Sequence, residues 1–158
     1  MAQEIERKFL VSDERFKQEA FKATRIIQGY LSSAPERTVR VRVKGDKGFI
    51  TIKGRSGAGG VSRFEWEKEI SVEDAKSLLE ICEDGVIDKT RYLVKNSDGL
   101  HIWEVDEFHG DNSGLTVAEV ELRAESDTFD LPAWLGGEVT GDPRFYNSSL
   151  SKNPHKNW

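Results

Sequence analysis

Apolar and polar residues alternate strictly in several short segments of the chain. In RTVRVRVK (Arg37–Lys44), valines occupy every second position after Arg37 and arginines lie between them. Successive side chains of a strand point to opposite faces, so a period of two predicts strands with one apolar and one charged face. The same period recurs in EIERKFLV, GFITIKG, RFEWEKEI, IDKTRYLV, HIWEVDEF and TVAEVELR. With ATRIIQGYL added, about eight strands are expected, antiparallel where the hairpins are short.

Two segments have helical character. SDERFKQEAF (Ser12–Phe21) predicts a short helix with Ser12 or Asp13 as N-cap, and SVEDAKSLLEIC predicts a second helix with Ser71 and Asp74 spaced as a variant capping box. The region after Asp130 has Pro, Gly and aromatic residues without a period, which predicts short helical turns. The expected fold is α+β and mainly β, with an eight-stranded antiparallel closed barrel and flanking helices in one domain spanning 1–158.

The charged faces of these strands are sorted by sign. Solvated faces usually mix in Thr, Ser, Gln and Asn, whereas these are almost purely charged. An antiparallel sheet with one face exposed to solvent would explain the charged face of any single strand. A barrel with the charges inside would instead bind a polyanion through Arg and Lys, and a hard divalent cation through carboxylates. The basic positions are Arg40 and Arg42, Lys53, and Lys89 and Arg91; the acidic ones are Glu65, Glu67 and Glu69, Glu104 and Asp106, and Glu119 and Glu121.

Composition restricts the classes of partner. The 158-residue chain has a formal net charge of −5, so the basic footprint of a duplex nucleic-acid binder is missing. Its only cysteine, Cys82, rules out an intrachain disulfide and a thiolate zinc site. No apolar run approaches the roughly 20 residues of a membrane span. We therefore expect a cytoplasmic protein with no membrane or nucleic-acid partner, and the sequence leaves its oligomeric state open, a homodimer included.

The charged segments together resemble a known family. EIERKFLV resembles the ExExK signature of the CYTH domain, also called the triphosphate tunnel metalloenzymes. The likeness continues in order through QGYL, VRVR, TIKG, RFEWEKEI, KTRY, WEVDEFHG, AEVEL and EVTGDPRFYNSSL, which is almost the whole chain. It is similar to the short bacterial branch of the family. The resemblance implies an eight-stranded tunnel that binds triphosphate end to end.

The resemblance also implies roles for single residues. The cofactor would be Mg²⁺ or Mn²⁺. The implied metal ligands are Glu4, Glu6, Glu65, Glu67, Asp106, Glu119 and Glu121, and the implied phosphate-binding set is Lys8, Arg40, Arg42, Lys53, Lys89 and Arg91. Lys8 and Lys89 are candidate catalytic residues. Tyr30 is a third, since a phenol beside Lys89 would steer or deprotonate water if neighbouring cations lowered the lysine pKa. A core tyrosine with a satisfied hydroxyl is the alternative reading of Tyr30.

The expected activity is metal-dependent hydrolysis of inorganic triphosphate, a small-molecule substrate, to pyrophosphate and phosphate. Phe64, Trp66 and Trp103 are all out of phase with the charged faces, so no aromatic side chain is left in the lumen to stack a nucleobase. An adenylate cyclase and a nucleoside or thiamine triphosphatase of the same family remain alternatives. A non-catalytic polyphosphate-binding module is the alternative from another class, although a polyanion binder gains nothing from so many carboxylates.

Overall fold

The computed structural model describes residues 5–56 and 63–158, so Glu4 of the predicted metal set lies outside the described residues. One antiparallel sheet dominates the structure. Its strands are β1 (Ile5–Val11), β2 (Lys22–Ser32), β3 (Arg37–Lys44), β4 (Lys47–Ser56), β5 (Arg63–Ile70), β6 (Ile87–Lys95), β7 (Ile102–Phe108), β8 (Thr116–Leu122) and β9 (Leu135–Glu138). The helices are α1 (Phe16–Glu19), α2 (Val72–Glu80) and α3 (Asn147–Lys152), with 3₁₀ turns at Gly110–Asn112, Pro143–Phe145 and His155–Asn157.

The spatial order of the strands is β5-β4-β3-β2-β6-β7-β8-β1-β9. The mainly β antiparallel class is confirmed, but two details differ from the prediction. The ninth strand, β9, has the sequence LGGE, and its paired glycines give no alternation to predict a strand from. In the described part of the chain, no backbone pairing joins the edge strands β5 and β9, so hydrogen bonds do not close the sheet into a barrel.

Apolar side chains cover most of the outer face of the sheet. Helix α2 packs on β3, where Val41 and Val43 form a buried cluster with Ala75. A larger cluster, which includes Phe9, Phe16, Trp103 and Trp134, lies beneath α1 and the segment before β9. Because the core lies on this side of the sheet, the charged residues are left on the other.

Within the described residues, the outer face of β5 is not covered by a helix. Phe64 is 65% exposed there and Trp66 is 45% exposed. The reason is positional: α2 packs on β2, β3 and β4, whereas β5 lies at the edge of the sheet. The aromatic side chains do point away from the charged face, as the alternation predicts.

The predicted helices are both found, with different accuracy. Ser71 caps α2 as expected, its hydroxyl oxygen accepting a hydrogen bond of 3.0 Å from the Asp74 amide. Helix α1 is only four residues long, and its N-cap is Arg15 without a side-chain cap. Ser12 is used elsewhere, since its hydroxyl donates to the Trp134 carbonyl at 3.0 Å. None of the helices within 5–56 and 63–158 is long and apolar enough to cross a membrane.

Candidate functional site

A buried ion-pair cluster lies on the charged face where β6 meets β7. The Lys89 Nζ atom lies 2.9 Å from Asp106 Oδ2, and the Arg91 guanidinium contacts both oxygens of the same carboxylate at 2.8 and 3.0 Å. The Nη1 atom of Arg91 lies 2.7 Å from Glu104 Oε2. Lys89 is fully buried and Asp106 is 4% exposed. Arg91 on β6 is directly opposite Asp106 on β7, and this pairing brings the side chains together.

This cluster shifts the pKa values of its members. Burial lowers the pKa of Lys89 to about 8; the Asp106 charge opposes the shift, while the Arg91 and Arg42 charges reinforce it. Burial alone would raise the pKa of Asp106, but Lys89 and Arg91 outweigh it and hold this pKa well below its usual range. The site therefore contains an ionised carboxylate beside an ammonium group whose pKa is lowered from its ordinary value.

Arg42 is a partly buried cation without a carboxylate partner among the described residues. Its Nε and Nη2 atoms donate to Gln28 Oε1 at 2.9 and 2.7 Å, because Gln28 faces it across β2 and β3. Burial lowers the pKa of Arg42 to about 10, and the charges of Arg40 and Arg91 add to this effect. A neutral amide orients the guanidinium without cancelling its charge, which leaves that charge available to an anion.

Arg40 lies two positions before Arg42 on the same face. It faces Thr51 on β4, and its Nη2 atom donates to the Thr51 hydroxyl at a long 3.4 Å. Its buried Nε atom has no hydrogen-bond partner within the described parts of the chain. A buried donor without a partner costs free energy that a phosphate oxygen would recover.

The acidic side of the face lies on β7, β8 and β1. Glu119 is opposite Glu104 on β7 and opposite Lys8 on β1, and the Lys8 Nζ atom lies 3.2 Å from Glu119 Oε1. Glu121 is opposite Glu6. The register thus brings together like charges that would repel one another without a cation between them.

These carboxylates suit a divalent metal in their chemistry. Oxygen donors bind hard cations such as Mg²⁺, and Glu6, Glu119 and Glu121 occupy neighbouring positions in the register. Among the described residues, no three acidic, histidine or cysteine side chains form a preassembled metal-binding group. We conclude that the donor set fits a metal, although the side chains would have to converge on it.

The remaining predicted acidic residues lie apart from this group. Glu65 and Glu67 are exposed on β5, at the opposite end of the strand order from β8 and β1. Glu67 instead accepts a hydrogen bond of 2.9 Å from Thr51, the same hydroxyl that Arg40 contacts. Both oxygens of Asp106 are taken by Lys89 and Arg91. Glu67 and Asp106 therefore have protein partners within the described residues.

Tyr30 is not beside Lys89 in the strand register. Tyr30 faces Arg40, whereas Lys89 faces Ile26, four residues earlier along β2. At about 3.3 Å per residue, the two backbones are roughly 13 Å apart along the strand. The expected pairing of Tyr30 with Lys89 is therefore corrected to a pairing of Tyr30 with Arg40.

Two cavities open on the charged face. The larger, of about 590 Å³, is lined by cationic, acidic and apolar side chains that include Lys22, Lys44, Arg91, Leu93, Leu100, Ile102, Glu104, Glu121 and Arg123. The smaller, of about 240 Å³, is lined by Tyr30, Thr38, Arg40, Thr51, Lys53 and Ser148 among others. Arg42 lies between Arg40 and Lys44 on β3, so it separates the two cavities along the strand.

Several polar residues at the site were missed by the sequence reasoning. Gln28 and Thr51 are in phase with the charged face, so the alternation could have identified them. Asn147, whose side-chain oxygen accepts a 3.0 Å hydrogen bond from Lys89, lies in a segment without a period. Nothing in the sequence pattern indicated it.

Fold and site together define a mainly β protein that presents partly buried arginine and buried lysine side chains next to carboxylates on one face of an antiparallel sheet. The chain belongs to the CYTH domain family, whose sequence profile matches residues 2–152. It is 50% identical over 159 aligned residues to a protein of Acetivibrio thermocellus named inorganic triphosphatase, covering 100% of this chain and 99% of the relative.

Two further matches agree with this assignment. An inorganic triphosphatase of Nitrosomonas europaea is 38% identical over 151 residues, covering 94% of this chain and 96% of the relative. Among solved structures, the crystal structure of an inorganic triphosphatase superposes with a TM-score of 0.76 at 35% identity, covering 96% of this chain and 95% of the other.

Proposed function

We propose that the protein is an inorganic triphosphatase that hydrolyses triphosphate to pyrophosphate and phosphate, with Mg²⁺ or Mn²⁺ as cofactor, in the cytoplasm. The observation that carries this proposal is positive charge at the centre of the charged face that no described carboxylate neutralises. Lys89 and Arg91 are paired with Asp106 and Glu104, but Arg42 donates to the neutral Gln28 and has no carboxylate partner among the described residues. A linear polyanion would neutralise this charge. The names of the relatives, one of them 50% identical over the whole chain, support the same substrate.

The basic residues would bind and polarise the substrate. Arg40 and Arg42 would each donate to phosphate oxygens through their guanidinium groups, and Lys53 would extend this contact along the smaller cavity. Lys89 would donate from the middle of the face, and Lys8 from the acidic side. In phosphoryl transfer the protein mainly positions the substrate and stabilises charge on the transferred group, so no nucleophilic side chain is required.

The acidic residues would act on the metal side. Glu6, Glu119 and Glu121 would hold the divalent ion, together with Glu4 if it faces the same way. A metal held there would neutralise phosphate charge and polarise a phosphate oxygen. Asp106 would keep Lys89 and Arg91 in place, and Glu67 would orient Thr51 against Arg40. Tyr30, opposite Arg40, would orient substrate or water at the smaller cavity.

The larger cavity favours one second candidate, a nucleoside triphosphatase or adenylate cyclase. Its apolar residues Leu93, Leu100 and Ile102 lie beside Lys44 and Arg91, so an organic group attached to a phosphate chain has room there. Its volume of about 590 Å³ falls in the range of small-molecule sites.

One set of assays separates the candidates. Purified protein is incubated with Mg²⁺ or Mn²⁺ and with either triphosphate or ATP, and the products are identified. Phosphate and pyrophosphate from triphosphate support the proposal. Faster turnover of ATP, or formation of cyclic AMP, favours the second candidate. Tight binding of triphosphate without any product would identify a non-catalytic polyphosphate-binding module.

A further inference from the structure

Three consecutive residues near the C-terminus contact both candidate catalytic lysines. The Asn147 side-chain oxygen accepts a hydrogen bond of 3.0 Å from Lys89 Nζ. The Phe145 carbonyl accepts a 3.5 Å hydrogen bond from Lys8 Nζ, and the Tyr146 ring centre lies 5.1 Å from the same atom. Lys8 and Lys89 lie on β1 and β6, which β7 and β8 separate in the sheet. Residues 145–147 therefore bridge the basic and acidic parts of the site.

This segment is held in place by contacts outside the site. Leu150 of α3 is 1% exposed and belongs to a buried cluster that includes Ile87 and Phe108. The backbone of α3 also approaches Gly85 so closely that a Cβ there would lie 1.8 Å from the Ser151 carbonyl oxygen. Asn147 thus reaches Lys89 from a packed element whose position does not depend on their hydrogen bond.

The chemistry of Asn147 matches what Lys89 requires. An ammonium group has three donors, of which Asp106 and Asn147 take two, so a third is left for a phosphate oxygen. An amide oxygen orients the ammonium group without adding negative charge. A carboxylate in its place would repel the phosphate that Lys89 has to bind.

We propose that Asn147 is a positioning residue: its amide oxygen fixes the direction of the Lys89 ammonium group, so that the remaining N–H bond points into the substrate site. This proposal rests on the proposed triphosphatase function. A small displacement of a well-oriented group is enough to slow a reaction by about 100-fold.

Two variants separate positioning from folding. Asn147→Leu keeps the side-chain size and removes the acceptor, whereas Asn147→Asp keeps an acceptor and adds charge. We expect Asn147→Leu to lower kcat about 100-fold with little change in KM. We expect Asn147→Asp to retain most of kcat while KM for triphosphate rises about tenfold, through charge repulsion. Asn157→Leu, in the exposed C-terminal turn, is the matched control and should keep both constants.

The measurements are steady-state kinetics with triphosphate and thermal melting of every variant. Wild-type kcat in a folded Asn147→Leu protein would overturn the inference. So would equal losses of kcat in the Leu and Asp variants accompanied by equal drops in Tm, since that result describes a purely structural residue. An inactive wild-type protein would instead refute the proposed function itself, so the two failures are distinguishable.

Discussion

Lys89 and Asp106 form an ion pair in the interior of the charged face, with 2.9 Å between Nζ and Oδ2 and side-chain exposures of 1% and 5%. Arg91 shares the same carboxylate at 2.8 Å. Taking charges out of water is costly, and only their mutual attraction offsets that cost. Asp106 therefore offsets the burial of Lys89 and shares Arg91 with Glu104, whereas Arg42 has no carboxylate partner among the described residues.

Asp106→Asn should strongly destabilise the protein. It keeps the shape of the side chain but leaves Lys89 and Arg91 buried with less compensation, so the free energy of unfolding should fall by about 3–5 kcal/mol. Urea denaturation measures this change. The control is Asp111→Asn, which breaks an exposed pair with Lys156 and should cost no more than about 1 kcal/mol. Equal effects of the two substitutions would show that the buried cluster contributes no special stability.

Arg42→Ala should damage turnover far more than folding. Loss of a transition-state contact should reduce kcat/KM for triphosphate by roughly 10- to 1,000-fold. Folding should change less, because removing a partly buried cation beside Arg40 and Arg91 relieves repulsion, which offsets the lost contact with Gln28. Arg42→Lys should restore activity only in part, since a lysine lacks the planar guanidinium fork.

Arg25→Ala is the control for Arg42. Arg25 pairs with Asp88 at 2.6 Å but is 65% exposed, so its loss should leave kcat/KM unchanged. An Arg42→Ala protein with the kinetics of the Arg25→Ala control would exclude Arg42 from the substrate site.

The alternation of side chains was enough to predict which face each residue occupies. Strand β3 has the bounds that its valines predict, with Val41 and Val43 in the core and Arg40 and Arg42 on the other face. A period of two determines faces directly, which is why the mainly β class could be predicted.

The partner of each charged residue could not be predicted in the same way. The alternation placed Asp106 on the charged face, but only the pairing of β6 with β7 shows that it contacts Lys89 and Arg91. The offset between β2 and β6 likewise separates Tyr30 from Lys89. The pairing of β2 with β6 joins strands that are distant in sequence, and β9 and Asn147 lie where no periodicity exists at all.

Chelation of divalent metal should abolish turnover. EDTA is expected to stop triphosphate hydrolysis, and added Mg²⁺ or Mn²⁺ is expected to restore it. The reason is that the carboxylates of β8 and β1, which bring like charges together in register, would hold the metal ion. Phosphate release measures both steps. Undiminished turnover in EDTA would remove Glu6, Glu119 and Glu121 from any metal site.

Glu6→Gln should separate metal binding from folding. It keeps the shape of the side chain and removes the charge opposite Glu121, so folding should be near normal while turnover is lost. Metal with triphosphate should raise the Tm of the wild type by mass action, and by less in Glu6→Gln. Glu125→Gln, at an exposed position after β8, should behave as the wild type. An active Glu6→Gln protein would place Glu6 on a solvated part of the sheet.

His101 links two loops beside the larger cavity through hydrogen bonds. His101 lies in the loop before β7 and is only 7% exposed, with its ring nitrogens 2.7 Å from Asp98 and 2.9 Å from Asp127. Hydrogen bonds that the His101 ring donates to the Asp127 and Asp98 carboxylates raise the pKa of His101 above its ordinary value. The hydrogen bond from His101 lowers the pKa of Asp127, and at Asp98 the opposing effect of burial is outweighed by hydrogen bonds from the Leu100 amide and from His101, which lower the pKa of that carboxyl.

The stability of the protein should therefore depend on pH through this histidine. A group whose pKa is raised by folding contributes its full stability below its unfolded pKa of about 6.5, and that contribution is lost as pH rises through the folded pKa. His101→Gln cannot carry the charge, so it should lower Tm clearly at about pH 6 and much less at about pH 9.5. The control His155→Gln alters an exposed ring that contacts the Ser113 carbonyl, and its effect on Tm should be small at both pH values. A Tm loss in His101→Gln that is equal at the two pH values would mean that the imidazole contributes by packing against Phe129 and not by its charge.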